Sequence, residues 1–241
     1  MNNKMKIDNL ENKKTIDELS VMDKMLNFTN SSILEIGCGN AKRAQEIVLK
    51  RNISKFKAVE VDLAAHQENM LKNIDKLSFA SYPCEDIQEK DESFDIIMML
   101  KSFHHVSPNN MLDGLCEINR VLKKNGLVYI SEPIFDGNYN DIIKIFHDEQ
   151  DVRLLAFQAI KLSIKNKLFE SVSQFFYNSV VTLNSFKEFE NNVINATHTS
   201  HNLTKEQYVI VKNKFESYKD LSRTPNYYFE VPMRVDLLRK I

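Results

Sequence analysis

Two carboxylates accompany a pair of glycines early in the sequence, in a pattern that can hold a ligand of defined charge. Residues 32–47 read SILEIGCGNAKRAQEI, so Glu35 lies two positions before Gly37, and Gly39 follows. Glycines between an apolar run and a helical pattern let a ligand approach the backbone closely. Asp62 stands after the next apolar run, where a carboxylate can accept hydrogen bonds from two ribose hydroxyls. The spacing therefore predicts a nucleoside-type ligand.

The residues around the glycines distinguish between two classes of cofactor. A dinucleotide-binding loop has a third glycine where this chain has Lys42. The carboxylate of Glu35 suits a cationic ligand group and would repel a pyrophosphate at the N-terminus of the following helix. A ligand with an adenosine ribose, a positive charge and no phosphate fits both Glu35 and Asp62. S-adenosylmethionine is such a molecule, and we expect it rather than a nicotinamide dinucleotide.

The elements that must position these residues alternate between strand and helix. Short apolar runs at 33–36, 58–61, 77–80, 94–100 and 127–130 predict strands, and helical spacing at 41–51 and 111–122 predicts helices among them. The near-continuous apolar run at 94–100 is typical of a central strand covered on both faces. This alternation predicts an α/β fold with a doubly wound, mostly parallel sheet, which binds its ligand at the carboxyl ends of the strands.

The second half of the chain differs in composition from the first. All five glycines lie between Gly37 and Gly137, and 138–224 contains neither glycine nor proline. This predicts long helices, the first at 139–167, while 175–183 and 227–238 have strand-like content. We therefore expect four parts: an N-terminal helical segment at 1–30, a cofactor-binding α/β core at 31–137, a mainly helical substrate lid with one strand at 138–224, and a final strand returning to the core at 225–241.

Composition argues against several other classes of protein. The chain has 241 residues, of which 43% are hydrophobic and 27% charged, as in ordinary globular proteins. A formal net charge of −1 gives no general attraction to nucleic acid or anionic lipid. No apolar run has the length of a signal peptide or of a membrane span. Cys38, Cys84 and Cys116 form neither a disulfide framework nor a metal pattern. We expect a cytoplasmic protein without nucleic-acid or membrane partners.

Several motifs in order give the sequence a more specific resemblance. LEIGCGNAKR, VEVDLA, CEDIQEKDESFDIIMMLKSFHHV and LCEINRVLKKNGLVYISEP follow one another between Ser32 and Pro133. The set resembles the class I S-adenosylmethionine-dependent methyltransferases, in particular the small-molecule branch called methyltransferase type 11. The resemblance implies a Rossmann-like sheet of seven strands in the order 3-2-1-4-5-7-6. The last strand is antiparallel, and 227–238 is the candidate for it.

The resemblance also implies which residues hold the cofactor. Glu35 would lie near the methionine amino group, and Asp62, followed by Leu63, would bind the ribose. Pro83 stands where this branch often has an aspartate beside the adenine, so the adenine contacts would fall to its neighbours or to the backbone. The remaining candidates lie beneath the cofactor, beside the adenine and at the end of the fourth strand: Gly37, Cys38, Gly39, Cys84, Glu85, Asp86, Leu100 and Lys101.

His104 and His105 are the candidates for catalysis. They follow the fourth predicted strand, and the resemblance puts His105 near the transferred methyl group. One interpretation is that one histidine packs and the other caps the loop. The other interpretation is that one acts as a general base or orients the acceptor. We expect no metal ion here, because adjacent side chains diverge and no third ligand is evident nearby.

Other polar residues are candidates for the substrate site. Glu132 follows the fifth predicted strand and is expected to point towards the mouth of the pocket, in a structural or a substrate-binding role. His147 is a substrate candidate, although its spacing from Asp151 on a predicted helix also permits a surface pair. His198 and His201 have metal-like spacing but no companion, so we expect no metal ligands there.

The sequence thus predicts methyl transfer from S-adenosylmethionine to a small acceptor, with S-adenosylhomocysteine as product. The Phe and Tyr content of 138–224, including Phe175, Phe176 and Tyr177, favours a partly apolar or aromatic acceptor, although this trio is more often core. Three alternatives stay open: a nicotinamide-dependent oxidoreductase, a methyltransferase acting on tRNA or protein, and a non-catalytic regulatory or partner protein with the same fold. The oligomeric state is open as well.

Overall fold

A seven-stranded sheet forms the centre of the protein in a computed structural model that describes residues 5–9, 13–195 and 201–241. The strands are β1 Ser32–Ile36, β2 Lys55–Val59, β3 Leu77–Ala80, β4 Phe94–Leu100, β5 Leu122–Pro133, β6 Phe169–Leu183 and β7 Tyr227–Lys240. Their order is β3-β2-β1-β4-β5-β7-β6. The first five are parallel, and β7 runs antiparallel to β5 and β6. The predicted α/β class, strand order and antiparallel last strand are confirmed.

Helices cover both faces of the sheet. They are α1 Glu18–Met25, α2 Lys42–Lys50, α3 Leu63–Met70, α4 Met111–Val121, α5 Asn138–Ile143, α6 Gln150–Lys165, α7 Phe186–Phe189 and α8 Lys205–Glu216, with a 3₁₀ turn at Phe103–His105 and a π-helical turn at Glu190–Ile194. Side chains of α1 and α2 pack on one face with Ile33 of β1. Those of α4 and α6 pack on the other with Leu34. This division follows from the alternation of side chains along a strand.

The predicted single helix at 139–167 is in fact two helices. α5 ends at Ile143 and α6 begins at Gln150. No glycine or proline causes the break. Instead Glu149 turns inwards, where its carboxylate meets Arg153, His147 and His104. Contacts with distant residues therefore override a local preference for one continuous helix.

The segment 138–224 only partly matches the expected lid. Its one strand, β6, begins at Phe169, earlier than the predicted 175, and pairs with β7 along the edge of the main sheet. Helix α6 packs against the core beside α4. A lid role can therefore apply only to α5, α7, α8 and their connections, and it stays a prediction.

The aromatic residues of the second half build a separate hydrophobic core. This third core lies among α5, α7, α8, the end of β6 and the start of β7, and its buried members include Phe186, Phe189, Phe215, Tyr227 and Phe229. Tyr177 is fully buried with Phe175 against it, on the sheet face that carries α1. The aromatic content on which we based an aromatic acceptor is thus largely used for packing.

A membrane span is not seen in the part of the chain that the structure describes, where every helix is too short or too polar to cross a bilayer.

Candidate functional site

A cavity of 1350 Å³ opens at the carboxyl edge of the parallel strands, where open α/β sheets bind ligands. The loops after β1, β2, β3 and β4 contribute to its wall. It is also lined by 15–18 around the start of α1, by Ser179 and Val180 of β6, and by Asn191, Asn192 and Asn195 at the π-helical turn. Elements from both halves of the chain therefore enclose one site.

The glycine loop after β1 passes close to the loop after β4. Gly37 has a φ of +72°, and a Cβ atom placed on it would lie 2.5 Å from Cβ of Ser102. The Ser102 hydroxyl donates to the carbonyl of Ile36 at 2.9 Å, which fixes this approach. Position 37 therefore requires glycine, because its backbone is left-handed and because there is no space for a side chain. Gly37, Cys38 and Gly39 all line the cavity, as the sequence led us to expect.

Cys38 is a passive member of this loop. Burial raises the pKa of its thiol well above the usual value, and the nearby carboxylates of Glu35 and Glu60 add to the shift. A thiol that stays protonated is a poor nucleophile.

Glu35 lines the cavity as a buried carboxylate with an unpaired oxygen. Its side chain is 2% exposed, and its Oε2 atom has no hydrogen-bond partner. Burial, reinforced by the charge of Glu18, raises the pKa of Glu35 to about 8. Glu18 of α1 is also buried and lines the cavity, with its Oε1 atom unpartnered and Arg43 3.9 Å from its Oε2 atom. Two such carboxylates favour a cationic group between them.

Asp62 lines the cavity and also forms the N-cap of α3. Its Oδ1 atom accepts hydrogen bonds from the amides of Ala64 at 2.9 Å and Ala65 at 3.3 Å. Glu60, which the sequence analysis missed, ties this residue to the glycine loop. Glu60 accepts from the Gly39 amide at 2.6 Å and from the Asp62 amide at 2.9 Å. The signal was present in VEVD, because alternate residues of an extended chain point to the same side.

Of the three residues expected beside the adenine, two line the cavity and one does not. Cys84 and Glu85 line the cavity together with Tyr82 and Pro83. The Cys84 thiol, however, packs against Gly114 of α4, where an added Cβ would come within 2.7 Å of its sulfur. Burial raises the pKa of this thiol to about 12. Asp86 points to solvent outside the cavity, so we correct its assignment.

Leu63 is a second candidate that does not line the cavity. It is 66% exposed at the first position of α3, because Asp62 ends the turn and the helix then carries Leu63 to the outside. At the end of β4, by contrast, Leu100 and Lys101 both line the cavity. Lys101 has a φ of +57°, which bends the chain sharply away from the strand.

The two adjacent histidines have different environments. His105 is exposed and lines the cavity, whereas His104 is buried and does not. Nδ1 of His104 bonds the carboxylate of Glu132, and its Nε2 atom lies 3.4 Å from Oε1 of Glu149. Burial alone would lower the pKa of His104, but the two carboxylates outweigh it and raise that pKa to about 9. His104 is thus a buried cation held between two acids.

Glu132 is part of this buried pair and does not reach the cavity. It is 2% exposed, and besides His104 it binds the Phe103 amide at 3.0 Å. Burial would raise the pKa of Glu132, but the charge and hydrogen bond of His104 hold it below the usual value. The expectation that Glu132 points to the pocket mouth is corrected, because its side chain fixes the turn after β4.

His147 lies in the connection between α5 and α6, away from the cavity wall. Its Nε2 atom is 2.9 Å from Oε1 of Glu149, and its ring packs edge-on against that of His201. It is not on a helix with Asp151, so the proposed helical pair is wrong. His198 lies outside the described residues. His201 contacts the carbonyl of Ile194 through Nδ1 at 3.2 Å.

Glu149 is the residue that sequence reasoning about the histidines missed. Ligand atoms of His104, His105 and Glu149 all lie within 4.8 Å of one another. We expected adjacent histidines to diverge, but the ring centroids of His104 and His105 are only 4.1 Å apart. The 3₁₀ turn folds the two rings onto one side, and the inward bend before α6 brings the carboxylate. No local pattern indicates this meeting.

Part of the chain is similar in sequence to a known protein family. Residues 34–130 match the model of a methyltransferase domain family. The mitochondrial ubiquinone biosynthesis O-methyltransferase of Candida albicans is 29% identical over 132 residues, which cover 51% of this chain and 38% of that protein. The chain therefore spans well under half of the length of this curated relative.

Solved structures show the same architecture over most of the chain. The YcgJ protein of Bacillus subtilis superposes with a TM-score of 0.62 at 17% identity, covering 92% of this chain and 97% of that one. Phosphoethanolamine N-methyltransferase 2 of Haemonchus contortus, solved in complex with S-adenosyl-L-methionine, gives a TM-score of 0.52 at 15% identity, covering 92% and 51%. At these identities the likeness shows the Rossmann-like methyltransferase fold.

Proposed function

We propose that this protein, whose residues 34–130 match a methyltransferase domain family, transfers a methyl group from S-adenosylmethionine to an oxygen atom of a small polar acceptor. One observation carries the proposal: Glu35 is a buried carboxylate beside the glycine loop, with an oxygen that has no protein partner. A cation beside this group would favour its ionised form, and S-adenosylmethionine brings an ammonium and a sulfonium. A pyrophosphate cofactor would instead be repelled there.

The proposal assigns each part of the cofactor to a part of the cavity. Glu35 and Glu18 would hold the ammonium, Asp62 the ribose, and Tyr82 to Glu85 the adenine. Glu60 acts as a positioning residue, since it holds both the glycine loop and Asp62 through backbone amides. Lys101 and His105, which line the cavity at the end of β4, would then lie nearest the methyl group.

The protein mainly has to align the reactants. Methyl transfer is an in-line displacement in which the acceptor oxygen bonds to carbon as the carbon–sulfur bond breaks and its electron pair passes to sulfur. Alignment can contribute about 7–11 kcal/mol to such a reaction. A general base that removes the hydroxyl proton adds about 10²–10⁴-fold, and His105 is our candidate because it lines the cavity. His104 orients the turn that carries His105.

The walls of the cavity support a polar acceptor. Thr15, Ser179, Asn191, Asn192 and Asn195 line it on the side formed by the N-terminal segment and the second half of the chain. These amide and hydroxyl side chains can bind an acceptor that has several hydrogen-bonding groups. The aromatic residues that suggested an aromatic acceptor pack into the third core instead. Methylation at oxygen is proposed from the name of the Candida albicans relative.

Calorimetric titration with S-adenosylmethionine and with NAD tests the cofactor assignment. We expect binding of the former only, weakened at least tenfold in Asp62→Asn, because a charge-assisted hydrogen bond contributes about 1.5–3 kcal/mol. Asp86→Asn is the matched control, since Asp86 lies outside the cavity, and it should bind like the wild type. Equal affinities in the two variants, or binding of NAD, would contradict the assignment.

A methyl-transfer assay over fractionated small metabolites then tests the activity. We expect S-adenosylhomocysteine to form with a hydroxylated, polar fraction and not with tRNA or protein. Cofactor binding without turnover on any fraction would favour the non-catalytic alternative. We also propose a cytoplasmic location, because Cys38, Cys84 and Cys116 are free cysteines and not a disulfide framework.

A further inference from the structure

We propose that His104, His105 and Glu149 bind a divalent transition-metal ion, such as Zn²⁺, at the wall of the cavity. Their ligand atoms lie within 4.8 Å of one another, and they come from two separate elements, the 3₁₀ turn after β4 and the N-cap of α6. Two imidazoles and one carboxylate form a known ligand set for catalytic zinc and for non-haem iron. The site does not depend on the proposed methyl transfer.

His104 is already oriented as a metal ligand. Its Nδ1 atom is engaged by Glu132, which is itself held by the Phe103 amide at 3.0 Å. Nε2 is thereby directed towards Glu149 and His105. A carboxylate on the far nitrogen of a histidine is the usual outer partner of metal-binding imidazoles, because it fixes the ring and makes it a better donor.

Glu149 is oriented in a comparable way. Its Oε2 atom is fixed by Nη2 of Arg153 at 2.6 Å, so Oε1 faces Nε2 of His104 at 3.4 Å. That separation is long for a hydrogen bond. It agrees with two ligands at about 2.0–2.1 Å from a tetrahedral zinc ion, which stand roughly 3.4 Å apart. His147 contacts the same Oε1 atom at 2.9 Å and can support the carboxylate or add a ligand.

The charges at the site also favour a cation. Glu132 and Glu149 are 2% and 7% exposed, and the side chains facing them are His104, Arg153 and, through its contact with Glu149, His147. Glu132 also interacts electrostatically with Arg234 of β7. A divalent ion bound by His104 and Glu149 would lie close to these two buried carboxylates.

The position of His105 suggests what the metal would face. His105 lines the cavity while His104 and Glu149 lie behind it, so the remaining coordination position is directed to the cavity. In catalytic metal sites an open position of this kind takes an oxygen of water or substrate. Only this last step, that the oxygen belongs to the methyl acceptor, rests on the proposed function.

Zinc titration of the full chain tests the site directly. Untagged protein is treated with a chelator, exchanged into metal-free buffer at pH 8 and titrated with Zn²⁺ against a chromogenic competitor, without cofactor or acceptor. We expect one Zn²⁺ per chain, with affinity at least tenfold weaker in His105→Ala and Glu149→Gln. His105 is exposed, so its variant should stay folded, which thermal melting checks. His66→Ala, on α3, is the histidine control and should bind like the wild type.

Cobalt provides a second readout with a different physical basis. Co²⁺ bound to two imidazoles, a carboxylate and one further ligand in tetrahedral geometry should show strong visible absorption bands, and His105→Ala should remove them. Substoichiometric Zn²⁺ binding by the wild type, or equal affinity of the wild type and His105→Ala, would overturn the metal site. Failure of S-adenosylmethionine to bind would leave these measurements unchanged, because they contain no cofactor.

Discussion

The carboxylate of Glu60 accepts a hydrogen bond from the backbone amide of Gly39 at 2.6 Å, so the residue that follows β2 holds the glycine loop after β1 in place. The other oxygen of the same side chain accepts from the amide of Asp62 at 2.9 Å. A single buried side chain thereby couples the two stretches that the cofactor is proposed to contact.

Replacing Glu60 should therefore affect binding as well as folding. In Glu60→Ala both hydrogen bonds are lost, and we expect a destabilisation of about 1–3 kcal/mol together with weaker S-adenosylmethionine binding. Glu60→Gln keeps one acceptor oxygen, so its stability and its affinity for S-adenosylmethionine should lie between those of the wild type and of Glu60→Ala. Urea denaturation and calorimetry measure the two effects. Glu170→Ala, an exposed carboxylate on β6, is the control. Unaltered cofactor affinity in Glu60→Ala would show that the loop holds its position without Glu60.

The two loop glycines should tolerate substitution unequally. Gly37→Ala places a Cβ 2.5 Å from the Cβ of Ser102 at a φ of +72°, so both a clash and backbone strain result. Gly39→Ala at a φ of +54° meets nothing within 4 Å and pays only the strain, about 1–2 kcal/mol. We expect Gly37→Ala to lower the melting temperature by clearly more than Gly39→Ala does, as measured by calorimetry. An equal fall in melting temperature in the two variants would mean that the loop carrying Ser102 can move away from the added Cβ atom at little cost.

Glu35 should make the ligand-free protein less stable at alkaline pH. Its pKa is raised from 4.5 to about 8, so the protonated form stabilises the fold fully below pH 4.5, and this contribution is lost as the pH rises through 8. Glu35→Gln is always neutral. We expect the variant to gain about 3–5 kcal/mol of stability relative to the wild type between pH 5 and pH 9.

Urea denaturation at pH 5, 7 and 9 measures this difference, with Glu170→Gln as a control that should track the wild type. The same Glu35→Gln protein should bind S-adenosylmethionine more weakly, since the ammonium loses a charged partner. A difference in stability that stays constant with pH would contradict a protonated Glu35.

Glu132 should behave as a structural residue. Glu132→Ala removes one partner of a buried ion pair and leaves His104 with only the more distant Glu149, so we expect a loss of about 3–5 kcal/mol. Glu170→Ala breaks an exposed pair with Arg239 and should cost under about 1 kcal/mol. Equilibrium unfolding in urea compares them. A stable Glu132→Ala protein with a raised KM for its acceptor would restore the substrate role that the sequence suggested.

The sequence by itself determined the sheet and the glycine loop that follows β1. Strand β4 was predicted at its observed bounds, because a continuous apolar run has few alternatives when both faces are covered. The sequence also identified Gly37 and Asp62 as residues of the cavity. Both follow a predicted strand, and their position after it is a local property of the sequence.

Only the tertiary structure decided which side chains surround the cavity and which lie behind it. His104 and His105 are adjacent in sequence, yet one is buried between Glu132 and Glu149 and the other lines the cavity. Glu18 joins Glu35 because α1 packs over β1, and Glu149 joins His104 because the chain bends before α6. The physical reason is that periodicity reports the face of an element, whereas the partner of that face depends on the packing of segments far apart in the chain.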